Sequence, residues 1–522
     1  MRFIRKLFTG LIVVFTAGSL FAAGKASHVV VVVWDGMRPD FVTPDTTPTL
    51  WKLAQEGATF RHHHPVYVSS TEVNGTALST GVYPEESGVI GNNEYRPALN
   101  PLGKIMTADP KAVRKADTLP NGHFLAAPTL AEILHEHGLH TAVAGAKTVA
   151  LLPDRNSRSR DSLGVDLFAG SVLPESFGQK LVTSLGRFPA AGSDAAARNL
   201  WTTKALIGPL WEDQLPPFSL LWLSEPDASQ HATGPGSPAS LAAIRSSDQN
   251  LARVLTMLKE KHLDEQTDVF VVSDHAFSTI IRTIDIASVL GSNGFPAVYQ
   301  FSSLGPRIGD ILVVSNGGST FFYVIGHDPG LIGRLVRFLQ SQPFCGVLLA
   351  NLPIEGTFSL ERVKLNSPAV PDVVMSMRWN RDRSTNGTVG MLYSGPSEYG
   401  PGQGMHGSLS PIDMHNTCVA AGPDFAKGVS DELPTGNVDI APTVLWILGI
   451  EPQQKMSGRV LSEVLTGCLA PPPKPEAHHL EATCRAKEFT WRQFLDYTEV
   501  NGVVYFDSAN GEQLPLLKTS RK

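Results

Sequence analysis

The sequence predicts an α/β protein: a mostly parallel central sheet flanked by helices, with inserted cap elements and a small C-terminal extension. Three observations predict it. The runs His28–Trp34, Phe218–Leu223 and 268–273 are apolar almost without interruption, the pattern of parallel strands covered on both faces. Helical patterns alternate with these runs, as crossover-connected sheets require. Each run also leads into an acidic residue, Asp35, Asp227 or Asp274, at the strand end where open α/β sheets place their ligands.

The elements can be taken in chain order. Arg2, Arg5 and Lys6 precede an apolar stretch at 7–23 and the small residues Ala22, Ala23, Gly24 and Ala26. This reads as a signal peptide, 1–26, cut between about Ala23 and Ala26, and predicts export to the periplasm or medium. The alternative is an uncleaved anchor, for which the apolar stretch is short. His28–Trp34 ends in Asp35-Gly36, where Asp35 is either a ligand or the cap of a turn. Residues 47–56 read as a helix, with Pro48 in its first turn and Gly57 at its end. His62-His63-His64 invites a metal reading. Successive extended residues point to opposite faces, however, so the three cannot reach one ion.

The stretch 68–88 organises the rest of the chain. Ser69 and Ser70 are extended, Thr71 starts a helix and Gly81 ends it. A threonine there is either a plain N-cap or a nucleophile set beside free N–H groups and the positive helix end, which favour an anionic substrate. The stretch alone fits both. Further on, 128–137 and 199–210 read as helices and 139–145 as a strand. Phe218–Leu223 runs into Ser224-Glu225-Pro226-Asp227, and Asp227 with His231, four apart in a turn, can converge on one cation. A helix at 240–262 precedes the strand 268–273 and Asp274-His275. Carboxylate oxygen and imidazole nitrogen suit zinc, and iron or manganese less tightly. Strands at 311–314 and 320–324 and a helix at 331–340 come next. Arg378, Arg381 and Arg383 form a basic cluster expected to be solvated. A glycine-rich loop at 400–407 delivers His406, ahead of a strand at 417–421 and a helix at 438–448. Beyond a stiff Pro-rich linker at 470–475, the segments 490–499 and 503–507 flank Asn501-Gly502, a hairpin signal. The parts are thus the leader 1–26, one large domain with insertions over 27–469, and a linker with a hairpin extension over 470–522.

Composition bounds the function. The chain has 522 residues, 42% hydrophobic, enough for a large core. Its net charge of -6 has both signs dispersed, which argues against nucleic-acid binding by charge. No segment after the leader is long and apolar enough to span a bilayer. Cys345, Cys418, Cys468 and Cys484 match no zinc motif, and in an exported protein Cys468 with Cys484 is the expected disulfide.

Asp35-Gly36, Ser69-Ser70-Thr71 with Asn74, and Ser79-Thr80-Gly81-x-Tyr83-Pro84-x-x-Ser87-Gly88 occur in that order. They are followed by Glu225-Pro226-Asp227-x-x-x-His231, Ser273-Asp274-His275 and His406-Gly407. This ordered set resembles the alkaline phosphatase superfamily, and within it the type I phosphodiesterase/nucleotide pyrophosphatase branch, over roughly 29–449. The resemblance implies an alkaline phosphatase-like fold and hydrolysis of a phosphodiester or pyrophosphate bond in a small-molecule phosphate ester, through a covalent phospho-threonine. It implies two Zn2+ ions. Asp227, His231 and His406 would hold one; Asp35, Thr71, Asp274 and His275 would hold the other. Thr71 would be the nucleophile, and Asn74 would donate to a non-bridging phosphoryl oxygen.

Three positions depart from the family pattern. Glu72 stands where nucleotide-cleaving relatives often carry an aromatic residue. Gln230 and Ala276 replace glycines, changes expected to alter only loop shape. An ionised Glu72 beside Thr71 predicts preference for diesters, since like charges about 6 Å apart at an effective dielectric of about 20 repel by roughly 3 kcal/mol. The alternatives are a phosphomonoesterase or phosphonate hydrolase of the same superfamily, or a secreted binding protein with a degenerate site.

Overall fold

The computed structural model describes residues 24–119, 122–155, 162–190, 192, 194–466, 468 and 471–516. The leader expected at 1–26 therefore lies, up to residue 23, outside the described residues. A nine-stranded sheet forms the centre, in the order Val429–Gly436, Ala58–His64, Cys418–Ala421, Thr267–Val272, His28–Trp34, Phe218–Leu223, Thr141–Gly145, Gly164–Phe168, Ser171–Leu173. Five of its eight pairings are parallel, as expected.

The strand His28–Trp34 shows why the sheet is central. Val29, Val31 and Val33 pack on one face with Ala77, Leu78, Val444 and Leu445. Val30, Val32 and Trp34 pack on the other with Leu50, Leu53, Leu251 and Val254. Those partners come from the helices Thr71–Thr80 and Ile440–Ile447 on one side, and Pro48–Glu56 and Pro238–Glu260 on the other. Alternate side chains of one strand thus feed two helical layers, which is why the run from Val29 to Trp34 is wholly apolar. Fully burying each valine contributes about 1.5–3 kcal/mol.

Register then gathers the acids. Val33 lies beside both Trp222 and Val272, so the three neighbouring strands end level and on the same side. Asp35, Asp227 and Asp274 leave those ends within a few residues of one another.

Two smaller sheets are inserted. One of six strands runs in the order Ala297–Val298, Ile311–Asn316, Ser319–Val324, Val373–Met377, Cys345–Ala350, Phe358–Ser359. It packs with Leu331, Leu335 and Leu339 of the helix Pro329–Gln340. The other has four strands and includes Ser278–Thr283 and Gly404–Met405, the latter leading into His406.

The C-terminal part corrects the expected hairpin. Phe489–Val500 and Val503–Pro515 do flank Asn501-Gly502, but Pro475–Arg485 adds a third antiparallel strand on the far edge. Nor is it a separate extension. Trp491, Leu495, Tyr505 and Phe506 are buried in the cores of the two large sheets. The Gln493 side chain bonds both the N–H and the carbonyl of Leu348 in the inserted sheet. The expected disulfide is absent. All four cysteines are free, because Cys468 packs on the core under the central sheet and Cys484 on that under the inserted one. Among the described residues no helix is long and apolar enough to cross a membrane.

Candidate active site

Thr71 is the first residue of the helix Thr71–Thr80, after an extended Ser70. It is buried, and its hydroxyl lies 3.2 Å from His275 Nε2. The helix is close-packed because Gly75 lies against Val149 and Trp222; a Cβ there would fall 2.7 Å from Val149. No side-chain cap bond from Ser70 closes the helix start, so its first N–H groups, apart from that of Glu72, stay available to an anion.

The strand ends bring the acids and histidines to this hydroxyl. One ligand atom each from Asp227, His231 and His406 lies within 4.8 Å of the others, and so do those of Asp35, Asp227 and His275. Asp274 Oδ2 is 3.2 Å from His275 Nε2. Asp227 and His231 sit one turn apart on the short helix Asp227–Thr233, not in a turn as the sequence suggested.

The hydrogen-bond pattern suits these groups to metal binding. His231, His275 and His406 each donate Nδ1–H to a backbone carbonyl, of Gly404, Ala276 and Ser69 respectively. A carbonyl only accepts, so the tautomer is set and all three Nε2 lone pairs face the site. Burial holds His231 and His406 below the ordinary histidine range, keeping them neutral as ligands must be. On the acid side, Asp35 Oδ1, Asp227 Oδ1 and Asp274 Oδ2 are buried with no hydrogen-bond partner.

Lys147 is the cation these acids meet in the structure. Its Nζ donates to Asp35 Oδ2 at 2.8 Å and Asp227 Oδ2 at 2.7 Å, and Trp222 Nε1 also donates to Asp35 Oδ2. Burial opposes the Lys147 charge, but Asp227, Asp35 and Asp274 together raise it well above the usual lysine range. Burial, then Asp227 and Asp274, push Asp35 well up. Burial also pushes Asp227 up, but the Lys147 ammonium outweighs it and holds Asp227 ionised.

Two glycines that follow ligand positions have positive φ. Gly36 has φ +74°, and a Cβ there would meet Phe277 at 2.6 Å; Gly407 has φ +98° and would meet Asn316 O at 2.5 Å. The glycines in Asp35-Gly36 and His406-Gly407 are therefore steric requirements of the loops that aim Asp35 and His406.

Several expectations from the sequence change. Asn74 is not free to meet a phosphoryl oxygen. Its Oδ1 accepts from Val66 N–H and Asn437 Nδ2, and its Nδ2 donates to the carbonyls of Val66, Val68 and Ser70. It pins the segment ahead of Thr71 instead. Asn74→Ala is expected to cost about 1–3 kcal/mol of stability, the penalty for orphaned buried partners, measured by urea unfolding.

Asn92, which sequence reasoning missed, stands at the helix start: its Oδ1 accepts the Glu72 N–H at 3.0 Å, fixing its amide beside Thr71. Burial pushes Glu72 up to about 7, so it is not the full negative charge expected. Gln230 does more than shape a loop, since its Nε2 donates to Gly36 O at 2.7 Å and ties the Asp227 helix to the Asp35 turn. The carbonyl of Ala276 fixes His275. None of His62-His63-His64 joins the site. His63 is buried between Thr435 and Asn437, His64 meets Asp507, and His62 is exposed toward Glu432. Arg378 is bound to Cys345 O and Arg383 to Gly387 O, away from these groups.

Residues 29–328 match the family described as type I phosphodiesterase / nucleotide pyrophosphatase. The chain belongs to this family. Among curated relatives, a Bis(5'-adenosyl)-triphosphatase of Xenopus laevis is 21% identical over 81% of this chain and 78% of its own length. Ectonucleotide pyrophosphatase/phosphodiesterase family member 1 of Rattus norvegicus is 25% identical over 46% of this chain. The match spans only 23% of that relative's length. Among solved structures, murine ectonucleotide pyrophosphatase/phosphodiesterase 5, as an inactive threonine-to-alanine form in complex with AMP, superposes with a TM-score of 0.57. That likeness covers 84% of this chain and 100% of the other at 18% identity, and the human counterpart matches with the same TM-score. The family membership agrees with the alkaline phosphatase-like α/β sheet and its position of acids at strand ends.

Proposed function

We propose that the protein is an exported, zinc-dependent hydrolase that cleaves phosphodiester or pyrophosphate bonds through a covalent phospho-threonine at Thr71. The observation that supports this best is the gathering of three buried carboxyls with unpartnered oxygens, three histidines whose Nε2 atoms turn to the site and one hydroxyl at a helix start. Asp227, His231 and His406 would hold one ion, and Asp35, Asp274, His275 and Thr71 the other. Bound zinc supplies Lewis acidity, easing loss of a hydroxyl proton and neutralising phosphoryl charge.

The chain's own residues do the rest. Thr71 Oγ1 gives up its proton to solvent and attacks phosphorus; a P–O bond forms while the bond to the leaving oxygen breaks, and the leaving group departs with the electron pair and is protonated by water. Water then hydrolyses the phospho-threonine and restores the hydroxyl. The N–H groups at the start of Thr71–Thr80 and the Asn92 amide bear the phosphoryl oxygens. Asn92→Ala is expected to lower kcat by about 10²-fold or more, as for loss of one oxyanion donor, and to cost about 1 kcal/mol of stability through the lost bond to the Glu72 N–H; unchanged kcat would remove Asn92 from this role. The relatives' names point to nucleotides and dinucleoside phosphates as substrates of those proteins.

Lys147 favours a second reading, a phosphomonoesterase or phosphonate hydrolase. A dianion needs more positive charge than a diester, and Lys147 supplies an ammonium between Asp35 and Asp227, while Glu72, near 7, gives little repulsion. Paired kinetics on bis-aryl and mono-aryl phosphate separate the readings. If the monoester is the substrate, Lys147→Met should lower its kcat/KM about tenfold more than the diester's, some 1.4 kcal/mol. A wild-type preference for the diester, with that ratio unmoved in Lys147→Met, would leave the diester reading standing alone.

A further inference from the structure

A pair of buried carboxyls on the far side of the fold holds the start of the described chain. The Asp424 carboxylate accepts the Lys25 N–H at 2.7 and 2.9 Å and the Ala26 N–H at 2.9 Å. Asp268 lies against it. Its Oδ1 accepts the Asp424 N–H at 3.2 Å, and its Oδ2 is buried with no partner. Both residues are essentially inaccessible. Burial, then the Asp424 charge, push Asp268 up to about 8. The Lys25 ammonium turns outward to Pro423 O and Thr466 Oγ1. One buried carboxylate, Asp424, thus takes the Lys25 N–H, with the Asp268 carboxyl lying behind it; a buried charge of this kind is stabilised by an opposite one.

The leader's small residues offer two spacings for cleavage, small-x-small at Ala22-Ala23-Gly24 and at Gly24-Lys25-Ala26. A cut after Ala23 would place Phe21 at the position that must be small. The fold distinguishes the two. A cut after Ala26 would expose Ser27 N, which meets only Gln266 O at 2.9 Å, and would discard Ala26 from the core. A cut after Gly24 would free Lys25 N against the Asp424 carboxylate.

We propose that a signal peptidase cuts between Gly24 and Lys25, and that Asp424, backed by Asp268, clamps the new Lys25 α-ammonium. Water adds across the peptide bond, hydroxyl to the Gly24 carbonyl carbon and hydrogen to Lys25 N, and the amine takes a proton from solvent. A neutral donor with one hydrogen becomes a cation with three. Leader removal therefore completes a buried ion pair three residues before the strand His28–Trp34. The inference rests on the proposed export, and fractionation tells the two apart.

The full-length chain is expressed in a bacterial host, fractionated, and its first residue read by intact mass and Edman degradation. Lys25 is expected first in the exported fraction. Exported protein beginning elsewhere would overturn the cleavage site, whereas a chain kept in the cytoplasm with its leader would overturn the export reading and the proposal with it. Chains beginning at Lys25, with the α-amine free or acetylated, are then compared with and without Asp424→Asn. The substitution should lower the melting midpoint at least about 2 °C more when the amine is free; equal losses would overturn the clamp.

Discussion

Thr71→Ala should lower turnover at least about 10³-fold while leaving the protein folded, the loss expected for removing a covalent nucleophile. That is about 4 kcal/mol of transition-state stabilisation. The fold should survive because the hydroxyl bonds His275 Nε2, a group of the site, while the helix beneath it is anchored by Val73, Ala77 and Leu78 in the core. Asn74 holds the preceding segment independently of the hydroxyl. Stability should thus change by no more than about 0.5–1.5 kcal/mol, one net hydrogen bond. Thr71→Ser keeps the oxygen but loses the methyl that fixes χ1, so it should retain part of the rate. Rapid quenching of the wild type with a diester should give a chain heavier by the phosphoryl group and the ester substituent it retains, and Thr71→Ala should not. Normal turnover in Thr71→Ala would show that water attacks directly.

Much of this site is legible in the chain because strands report on both their burial and their ends. An unbroken run such as Val29–Trp34 can only be covered on both faces. The acid after it must then emerge at the sheet's ligand edge. The same rule, applied to the strand Thr141–Gly145, points to Lys147, two residues beyond its end and beside Phe218–Leu223. A lysine is no metal ligand at neutral pH, so a search for Asp and His passes over it. Asn74 and Asn92 show a different limit. Both are asparagines near Thr71, and spacing cannot say which amide is consumed by backbone; that is decided by Asn437 and the carbonyls at 66–70.

The strand Pro475–Arg485 was hidden because its side chains are mostly exposed or half-buried and it opens on proline. Pairing with Phe489–Val500, not its own apolar content, makes it a strand. Gln230 reads as a loop change because its partner, Gly36 O, is nearly two hundred residues away in the chain.

Removing divalent metal should abolish turnover and also loosen the protein, and zinc should restore both. The reason is the charge at the strand ends. Asp35, Asp227 and Asp274 are buried together, and the structure sets Lys147 against the first two. Buried charges left without partners are strongly destabilising. An ion bound at a thousand times its dissociation constant adds about 4 kcal/mol to stability, so the stripped protein should melt at a lower temperature.

Its pH dependence should also differ. Asp35 is raised in the folded state by burial and by Asp227 and Asp274, so the folded chain holds that proton more tightly than the unfolded one. Stability therefore falls as pH rises from the unfolded aspartate value, about 4, through the raised folded one. In the stripped protein this fall should begin at mildly acidic pH; zinc should suppress it, because a bound cation replaces the proton. Magnesium should do neither well, since hard cations take oxygen and three of the donors here are imidazole nitrogens. The checks are elemental analysis of the purified protein, turnover after chelation and re-addition, and melting curves at several pH values with and without zinc. Full turnover in a verified metal-free sample would sink the two-ion mechanism, and an unchanged melting curve would show that Lys147 balances the acids unaided.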